Sequence, residues 1–440
     1  MALPQLNIGG GWARTLLSLQ TNIDSTFAPQ PRNNKIAVLG DSITNNNSTS
    51  TGGFESNGYL TWANQFSRQR FRFEHALNFG VPGDTSEQAY ARIDDVLAND
   101  AGTVVVAVGT NDRGSAAFTY TQTISYLTAI RDKLLKDGRI VVLVCPLPRG
   151  DSTYTSNRLT GDQLAYHIRV REWVLSNKGV RGVYPVDSWV YTADATSSTG
   201  DIKLGYTSDG LHPNVIGSFW HGKAIAEQAL NLILPEPYIL ATSNADVYGA
   251  INNPQGSIIL NPMFSGTTGI PGTGGSGNLA TSYTGTNATG TTAVTRTYSK
   301  VTSGGKDWQQ IVLGAGPTTA EGALDLVRQI SLHASVSAGD VIEGMIEYEV
   351  DAGTTGVMSL QLGLQLTDAN GTTTLWDGDR YTGGSMLLPD VAFSGVMRTP
   401  RITVGATPTD LRFRLSCYVP NATSPVISVR CRAASLRKIV

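Results

Sequence analysis

Cysteine is scarce in this chain of 440 residues, and its scarcity excludes a disulfide scaffold. The three cysteines are Cys145, Cys417 and Cys431, and their odd number leaves at least one thiol unpaired. Cys145 lies within the apolar run IVVLVCP, which predicts a buried and inert thiol. Cys417 and Cys431 lie in two predicted strands and would pair only if those strands were neighbours.

An excess of charge and a long apolar run are also lacking. The chain has 33 Lys and Arg residues against 35 Asp and Glu residues, a net charge of −2, with no long run of either sign. We therefore expect neither nucleic acid nor an anionic membrane as a partner. No segment approaches the roughly 20 apolar residues that a membrane span needs, and the N-terminus lacks the basic start and apolar stretch of an export signal. These absences predict a soluble chain without a signal peptide.

The length of the chain exceeds what one hydrophobic core usually serves, which predicts two domains. A polar N-terminal arm, 1–34, precedes an alternation of apolar strand patterns and amphipathic helix patterns over 35–234. Parallel strands need connections of helix length, so this alternation predicts an α/β domain, a three-layer αβα fold with a five-stranded parallel sheet. Its predicted strands are 35–39, 74–79, 103–108, 139–145 and 182–186.

The second half of the chain has a different composition. Pro235 and Pro237 end the last predicted helix, and we interpret 235–258 as a linker. From 259 to 440 the helical periodicity fades and runs of alternating apolar and polar residues appear, which predicts an all-β sandwich domain. The clearest of these predicted strands are 341–350, 358–366, 411–419 and 426–436.

The stretch KIAVLGDSIT, 35–44, places a serine where ligands collect in an open parallel sheet. The apolar run ends at Gly40, so Ser42 stands at the C-terminal edge of a predicted strand. A serine at this position is well placed to act as a nucleophile. The alternative is that Asp41 or Ser42 only caps the helix that follows.

Three further segments end at the same edge of the sheet, namely NFGVPGDTS (78–86), VGTND (108–112) and SDGLHPN (208–214). A serine hydroxyl becomes a nucleophile when an imidazole such as that of His212 takes its proton, and Asp209 is suited to hold the imidazole in the right tautomer. The backbone N–H groups of Ser42 and Gly83 and the side-chain amide of Asn111 would stabilise an oxyanion. The four segments together predict acyl-transfer chemistry.

The alternative is that Asp209 and His212 bind a metal ion. It would need a third ligand at the same edge, for which Asp41 and Asp84 are the nearby carboxylates. That interpretation leaves the serine and the asparagine without a role, so we expect no metal and no cofactor. The other histidines of the first domain are interpreted as structural or surface residues; they are His75, His167 and His221.

The order of the motifs GDS, NxGxxGDT, GTND and DGLHPN resembles that of the SGNH (GDSL-type) hydrolase superfamily over about 200 of the 440 residues. The resemblance implies a flavodoxin-like fold, with Ser42 as nucleophile, Asp209 and His212 as the acid and base, and Ser42, Gly83 and Asn111 as oxyanion donors. The stretch from NFGVPGDTS to VGTND is most similar to the platelet-activating-factor acetylhydrolase and carbohydrate acetylesterase branches. This similarity favours a small acyl group such as acetyl.

The loops around the predicted site offer candidate substrate contacts. Trp189, Tyr191 and Tyr206 would stack on a sugar face, and Arg113 or Arg149 would meet an acidic sugar. The alternative is that the aromatic residues pack in the core and the arginines are solvated.

The predicted β domain resembles the jelly-roll, carbohydrate-binding-like modules at the C-termini of bacteriophage tail spikes and fibres, through NPMF (261–264) and ISVRCRAASLRKIV (427–440). This resemblance implies an esterase of a virion, or an extracellular one, that removes O-acetyl groups from an acetylated polysaccharide of the host surface. It also implies a homo-oligomer such as a trimer. Two alternatives remain: a receptor-binding or structural tail protein with incidental hydrolysis, and a general short-chain carboxylesterase.

Overall fold

The chain is described by a computed structural model that covers residues 29–113, 118–150, 156–236, 240–314, 316–381 and 387–439. Most of the predicted N-terminal arm, 1–34, lies outside these residues. Its described end contacts the first domain, because the Asn33 amide donates to Asp100 O at 2.6 Å.

The first domain is built on a parallel sheet of five strands, as predicted, in the order β3-β1-β4-β5-β6. The central strands are short runs of β-branched and aliphatic residues that are buried on both faces, as expected when helices cover both sides of a sheet. The strands of this sheet are β1 (Ile36–Gly40), β3 (Asn78–Gly80), β4 (Thr103–Ala107), β5 (Ile140–Val144) and β6 (Val183–Val186). A further short strand, β2 (Phe54–Glu55), leaves this domain and joins a sheet of the second domain.

Helices follow the strands of this sheet. They are α1 (Ser42–Asn45), α2 (Tyr59–Phe66), α3 (Ser86–Ala91), α4 (Ile93–Leu97), α5 (Tyr120–Lys136), α6 (Gly161–Ser176), α7 (Trp189–Thr192), α8 (Val215–Ile225) and α9 (Asn231–Ile233), with a π-helical turn (Ala226–Leu230) between the last two. Among the residues described, none of the helices combines the length and the apolar character required to cross a membrane.

One predicted strand of the first domain is wrong over most of its length. The segment 74–79 forms a 3-10 turn (His75–Leu77) before β3 begins at Asn78. His75 and Ala76 are exposed and only Leu77 is buried, so this segment lacks the apolar alternation that would hold an extended strand against the core.

The second domain is a sandwich of two mostly antiparallel sheets, as predicted. One sheet has the order β15-β12-β18-β10-β9-β7, with β16 paired to β12, and the other has the order β2-β14-β13-β17-β11-β8. The strands are β7 (Gly275–Gly277), β8 (Thr284–Asn287), β9 (Thr295–Ser303), β10 (Lys306–Gly314), β11 (Gly322–Gln329), β12 (Val341–Val350), β13 (Ser359–Asp368), β14 (Gly371–Asp379), β15 (Phe393–Arg398), β16 (Ile402–Thr403), β17 (Asp410–Val419) and β18 (Ile427–Ile439). The jelly-roll connectivity stays a prediction.

The three cysteines are all buried and form no disulfide. Cys417 lies on β17 and Cys431 on β18, and these strands belong to different sheets. The condition for their pairing, neighbouring strands, is therefore not met. Burial raises the pKa of the Cys145 thiol far above its ordinary value, in agreement with an inert side chain.

The two domains share a hydrophobic core at their junction. Trp62 on α2 and Phe219 on α8 both pack against Phe393 of β15, with ring centroids 5.8 and 5.3 Å apart. Beside them, Gln65 of α2 accepts a hydrogen bond from the Tyr348 hydroxyl at 2.7 Å and donates to Asp377 at 3.1 Å. The helix α8 therefore depends on the sandwich for part of its packing.

The predicted linker, 235–258, is folded structure where it is described. Ile258 is buried, and its backbone N–H donates to Leu436 O on β18 at 2.6 Å. Ser257 Oγ accepts a hydrogen bond from the backbone N–H of Leu436 at 3.1 Å. Residues 240–258 thus pack on the second domain instead of forming a loose tether, while the domain bounds themselves stay a prediction.

Candidate active site

The nucleophile candidate lies on a tight turn between β1 and α1. Asp41 caps α1, because its Oδ1 accepts a hydrogen bond from the backbone N–H of Ile43 at 3.0 Å. Gly40 permits this turn: a Cβ there would lie 2.0 Å from Thr44 Oγ1 and 2.4 Å from Ala107 O. Since Asp41 provides the cap, the Ser42 side chain is left for another use.

His212 lies between Ser42 and Asp209. Its Nε2 is 2.8 Å from Ser42 Oγ, and its Nδ1 is 2.7 Å from Asp209 Oδ2. A proton on Nδ1 donated to Asp209 leaves the Nε2 lone pair to accept the serine proton, which is the tautomer that this hydrogen-bond network favours. The arrangement is that of a general base held by a carboxylate.

Hydrogen bonds from the backbone fix the Asp209 carboxylate. Its Oδ1 accepts from the N–H of Leu211 at 2.9 Å and from the N–H of His212 at 2.8 Å. Partial burial raises the pKa of Asp209, but the His212 side chain and these two N–H groups lower it more, so the pKa lies below its ordinary value. Asp209 is therefore ionised at neutral pH and can stabilise a protonated His212.

The predicted oxyanion donors Gly83 and Asn111 come from adjoining loops. Asn111 Nδ2 donates to the backbone carbonyl of Asp84, the neighbour of Gly83, at 3.0 Å. An amide carries two hydrogens, so the second one remains to donate to a ligand. Gly83 has a φ of +86°, and no atom lies within 4 Å of where its Cβ would be. The left-handed backbone conformation at this position favours glycine.

Two side chains that the sequence analysis did not single out hold these loops. Arg92 pairs with Asp84 at 2.6 Å and donates to the carbonyls of Phe79 and Gly40 at 2.7 and 2.8 Å, which joins the ends of β3 and β1. The buried Asp112 accepts from Ser86 at 2.6 Å and from Thr123 at 2.7 Å. Neither residue stands at a recognisable spacing from the nucleophile, although Asp112 belongs to the GTND motif.

The metal alternative is not supported by the contacts of its proposed ligands. Asp41 is fully buried and bonded to Ile43, and Asp84 is paired with Arg92. Within the described ranges no group of three or more His, Cys, Asp or Glu side chains is arranged to hold a metal ion. Asp209 and His212 are engaged with each other and with Ser42 instead.

Comparison with known families agrees with this geometry. Residues 38–218 match the sequence model of the GDSL-like Lipase/Acylhydrolase family, and this segment includes all five proposed catalytic and oxyanion residues. The first domain is a carboxylic ester hydrolase, and its sequence is similar to the GDSL-like family over this segment. The chain has no match among the curated proteins with which it was compared.

Three solved structures similar to the hydrolase domain cover 44% to 48% of this chain. A G-D-S-L family protein from Desulfitobacterium hafniense is 24% identical over 44% of this chain and 99% of its own, with a TM-score of 0.35. A GDSL-like lipase from Bacteroides thetaiotaomicron is 19% identical over 48% of this chain and 96% of its own, with a TM-score of 0.35. A catalytic mutant of an acetylxylan esterase from Geobacillus stearothermophilus is 16% identical over 47% of this chain and 99% of its own, with a TM-score of 0.37.

Three of the predicted substrate contacts of the hydrolase domain are corrected by the structure. Arg113 is buried and donates to Phe118 O and Thr123 Oγ1. Trp189 is also buried, and its indole N–H donates to Pro146 O at 2.7 Å, so its ring does not offer a stacking face. Trp189 therefore packs in the core, as in the alternative interpretation, whereas Arg113 is buried and is not solvated as that interpretation expected.

The third corrected contact, Arg149, connects two loops of the active site. Its guanidinium donates to the carbonyl of Thr110 at 2.8 Å and to the carbonyl of Asn157 at 2.6 and 2.9 Å. Asn157 in turn donates from its amide to Asp209 O at 3.1 Å. Burial lowers the pKa of Arg149 to about 10, while the nearby carboxylates of Asp41 and Asp209 oppose this effect. Arg149 thus links the loop of Asn111 to the loop of Asp209.

The remaining two candidates, Tyr191 and Tyr206, are partly exposed and stay predictions as substrate contacts. Tyr191 donates to Glu227 at 2.5 Å, and its ring lies 5.2 Å from that of Trp220. The ammonium of Lys203 lies 5.5 Å from the centre of the Tyr206 ring. Both rings therefore retain surface that a ligand can contact.

Proposed function

We propose that this protein removes O-acetyl groups from a polysaccharide and that Ser42, His212 and Asp209 carry out the reaction. The observation that supports the proposal most is the continuous chain of contacts from Ser42 Oγ to His212 Nε2 (2.8 Å) and from His212 Nδ1 to Asp209 (2.7 Å). These distances lie within the range that proton transfer between a nucleophile and its base requires.

The geometry leads to a two-step reaction. Ser42 Oγ attacks the acetyl carbonyl while its proton passes to His212 Nε2, and the carbonyl oxygen becomes an oxyanion near Asn111 and the N–H groups of Ser42 and Gly83. Collapse of the intermediate transfers the proton from His212 to the departing sugar hydroxyl and leaves an acetyl-serine. Water, deprotonated by His212, then attacks the acetyl-serine, so that acetate leaves and Ser42 regains its proton.

The acetyl group enters the proposal through the resemblance of NFGVPGDTS (78–86) and VGTND (108–112) to the carbohydrate acetylesterase branch.

The proposed setting is a virion, where the protein would act as a tail spike or fibre on host polysaccharide. The support is the resemblance of the C-terminal strands to such modules, together with the shared core that fixes the sandwich to α2 and α8. A homo-oligomer such as a trimer and an extracellular location belong to the same proposal.

Acetate release from acetylated bacterial polysaccharides tests this function. Wild type should release acetate, Ser42→Ala should not, and Ser176→Ala, which alters an exposed serine at the end of α6, should match wild type.

Esters of p-nitrophenol with acetate, butyrate and octanoate define the acyl preference, and the rate should fall with chain length. Cleavage of octanoate in preference to acetate would contradict the acetyl specificity. Cleavage of the small esters without acetate release from any polysaccharide would favour a general short-chain carboxylesterase.

A further inference from the structure

A cavity of about 400 Å³ lies between the hydrolase domain and the sandwich, apart from the catalytic residues. The hydrolase domain contributes Phe54, Arg72 and His75 to its lining, and the sandwich contributes Glu343, Arg398 and Arg401, among others. Glu74 of the hydrolase domain also lines the cavity, so three arginines and two glutamates face one partly enclosed space.

The negative charges of the two carboxylates do not balance the positive charges of the three arginines in this cavity. Glu343 is shared, since it pairs with Arg398 at 2.6 Å and with Arg401 at 3.0 Å. Arg72 pairs with Glu74 at 3.0 Å. Burial lowers the pKa of Arg72, and the charges of Arg401 and Arg398 lower it further, which indicates that the three guanidinium groups lie close enough to repel one another. The lining therefore carries an excess of one positive charge.

The guanidinium groups also retain unused donors. Arg401 bonds to Glu343 through Nε, and its two Nη groups make no hydrogen bond to the described residues. The Nη groups of Arg72 likewise have no hydrogen-bond partner in the described part of the chain, and Nη1 of the buried Arg398 has none. A planar guanidinium with two unused N–H groups on one side is suited to bind a carboxylate in a bidentate manner.

We propose that this cavity binds the carboxylate of an acidic sugar residue and so holds an acidic polysaccharide on the protein. The binding of an anion follows from the unpaired arginine donors. The assignment of this anion to a sugar residue rests on the polysaccharide substrate proposed above. Phe54, Phe73 and Leu375 add apolar surface for a sugar ring beside the charged groups.

A chain of hydrogen bonds connects the cavity with the nucleophile turn. His75, which lines the cavity, contacts Ser48 Oγ through Nδ1 at 2.9 Å. Asn78 donates to the same Ser48 Oγ at 3.0 Å and to Asn45 O at 3.1 Å, and Asn45 ends the helix that Ser42 begins. The cavity and the active site thus border the same loop.

The test measures binding in the Ser42→Ala background, so that no ester is turned over. Tetragalacturonic acid and a hyaluronan tetrasaccharide are the acidic probes, the fully methyl-esterified galacturonide is the uncharged probe, and inorganic phosphate is the small-anion probe. Calorimetry at low and high salt should show binding of at least one acidic probe that weakens with salt. The methyl ester should bind at least about tenfold more weakly, because it lacks the charged acceptors.

Arg401→Gln is the decisive variant, and Arg412→Gln is its matched control. Arg401 is partly exposed, so its loss should leave the fold intact, and Arg412 pairs with Asp410 outside the cavity. Arg401→Gln should weaken binding of the acidic probe at least about tenfold, and Arg72→Gln should act in the same direction. Arg412→Gln should bind normally. Thermal unfolding confirms that each variant is folded.

Four outcomes would overturn the proposal. Two concern the probes alone: no binding of either acidic probe, or equal affinity for the acidic and methyl-esterified probes. The other two are binding that neither Arg401→Gln nor Arg72→Gln affects, and phosphate binding as tight as that of the oligosaccharides. Because these measurements involve no turnover, they are independent of deacetylation. A protein that releases acetate but binds no acidic probe refutes only this inference, and the reverse result refutes only the proposed reaction.

Discussion

Ser42 Oγ lies 2.8 Å from His212 Nε2, although 170 positions separate the two residues in the chain. The serine stands on the turn after β1, and the histidine stands on the loop before α8. Through Phe219, the helix α8 packs against Trp62 of α2 and against Phe393 of the sandwich. The contact between nucleophile and base therefore depends on the fold of the whole hydrolase domain and on its junction with the second domain.

Asp209→Asn should lower kcat by about 10⁴-fold while leaving the protein folded. The amide can still accept a hydrogen bond, but it no longer stabilises a protonated His212, and it can hold the imidazole in the wrong tautomer. Steady-state hydrolysis of p-nitrophenyl acetate measures the effect, with Asp95→Asn, at an exposed position on α4, as control. Because the pKa of Asp209 lies below its ordinary value, the wild-type rate should not fall through Asp209 protonation until the pH drops below about 4. A rate for Asp209→Asn within tenfold of wild type would contradict the assigned role.

Asn111→Ala should lower kcat by about 10²- to 10³-fold with little change in KM, because the amide acts on the oxyanion and not on the ground-state ester. The control is Asn370→Ala, on the turn between β13 and β14. An increase in KM at unchanged kcat would show instead that Asn111 binds the substrate.

Arg149→Gln should lower both the stability of the protein and kcat. The change leaves the carbonyls of Thr110 and Asn157 without their charged donor, which should cost about 1 to 3 kcal/mol in the free energy of unfolding. Displacement of the two loops should lower kcat by about 10- to 100-fold. Urea unfolding and p-nitrophenyl acetate kinetics provide the two measurements. A higher KM with unchanged stability and kcat would restore the original prediction that Arg149 contacts the substrate.

The candidate catalytic and oxyanion residues each lie in a short sequence motif, either at the end of a predicted strand or just before the last predicted helix. The C-terminal ends of parallel strands meet at one edge, so Ser42, Gly83 and Asn111 are placed together by topology alone. Asp209 and His212 are only three residues apart, and their contact is local.

The substrate contacts could not be predicted in the same way. The burial of Arg113, Arg149 and Trp189 depends on how loops and helices distant in sequence fold over them, and no local pattern distinguishes a buried arginine from a solvated one. The contacts between the two domains could not be predicted either, because they also join residues that are distant in sequence. The strand β2 has only two residues, and its partner β14 follows more than 300 positions later. Contacts of this range leave no periodic signal in the sequence.

The domain junction should respond to pH through Asp377. Burial raises the pKa of this carboxyl to about 7, although Arg398 N–H and Gln65 donate to it. The folded state then holds a proton that the unfolded chain has released above about pH 4, so this group's contribution to stability falls as the pH rises through 7. Asp377→Asn imitates the protonated form, and its stability relative to wild type should rise by about 3 kcal/mol between pH 5 and pH 8.

Urea unfolding of both proteins at the two pH values measures this difference, and other titrating groups cancel because both proteins contain them. A constant difference would show that Asp377 does not titrate in this range.

The most direct test of the proposed mechanism is the rate of p-nitrophenyl acetate hydrolysis by wild type, Ser42→Ala and Ser176→Ala under identical conditions. Ser42→Ala should lose about 10⁴- to 10⁶-fold in kcat, and Ser176→Ala should equal wild type. If Ser42→Ala retained the wild-type rate, Ser42 would not be the nucleophile, and the proposed mechanism would be wrong.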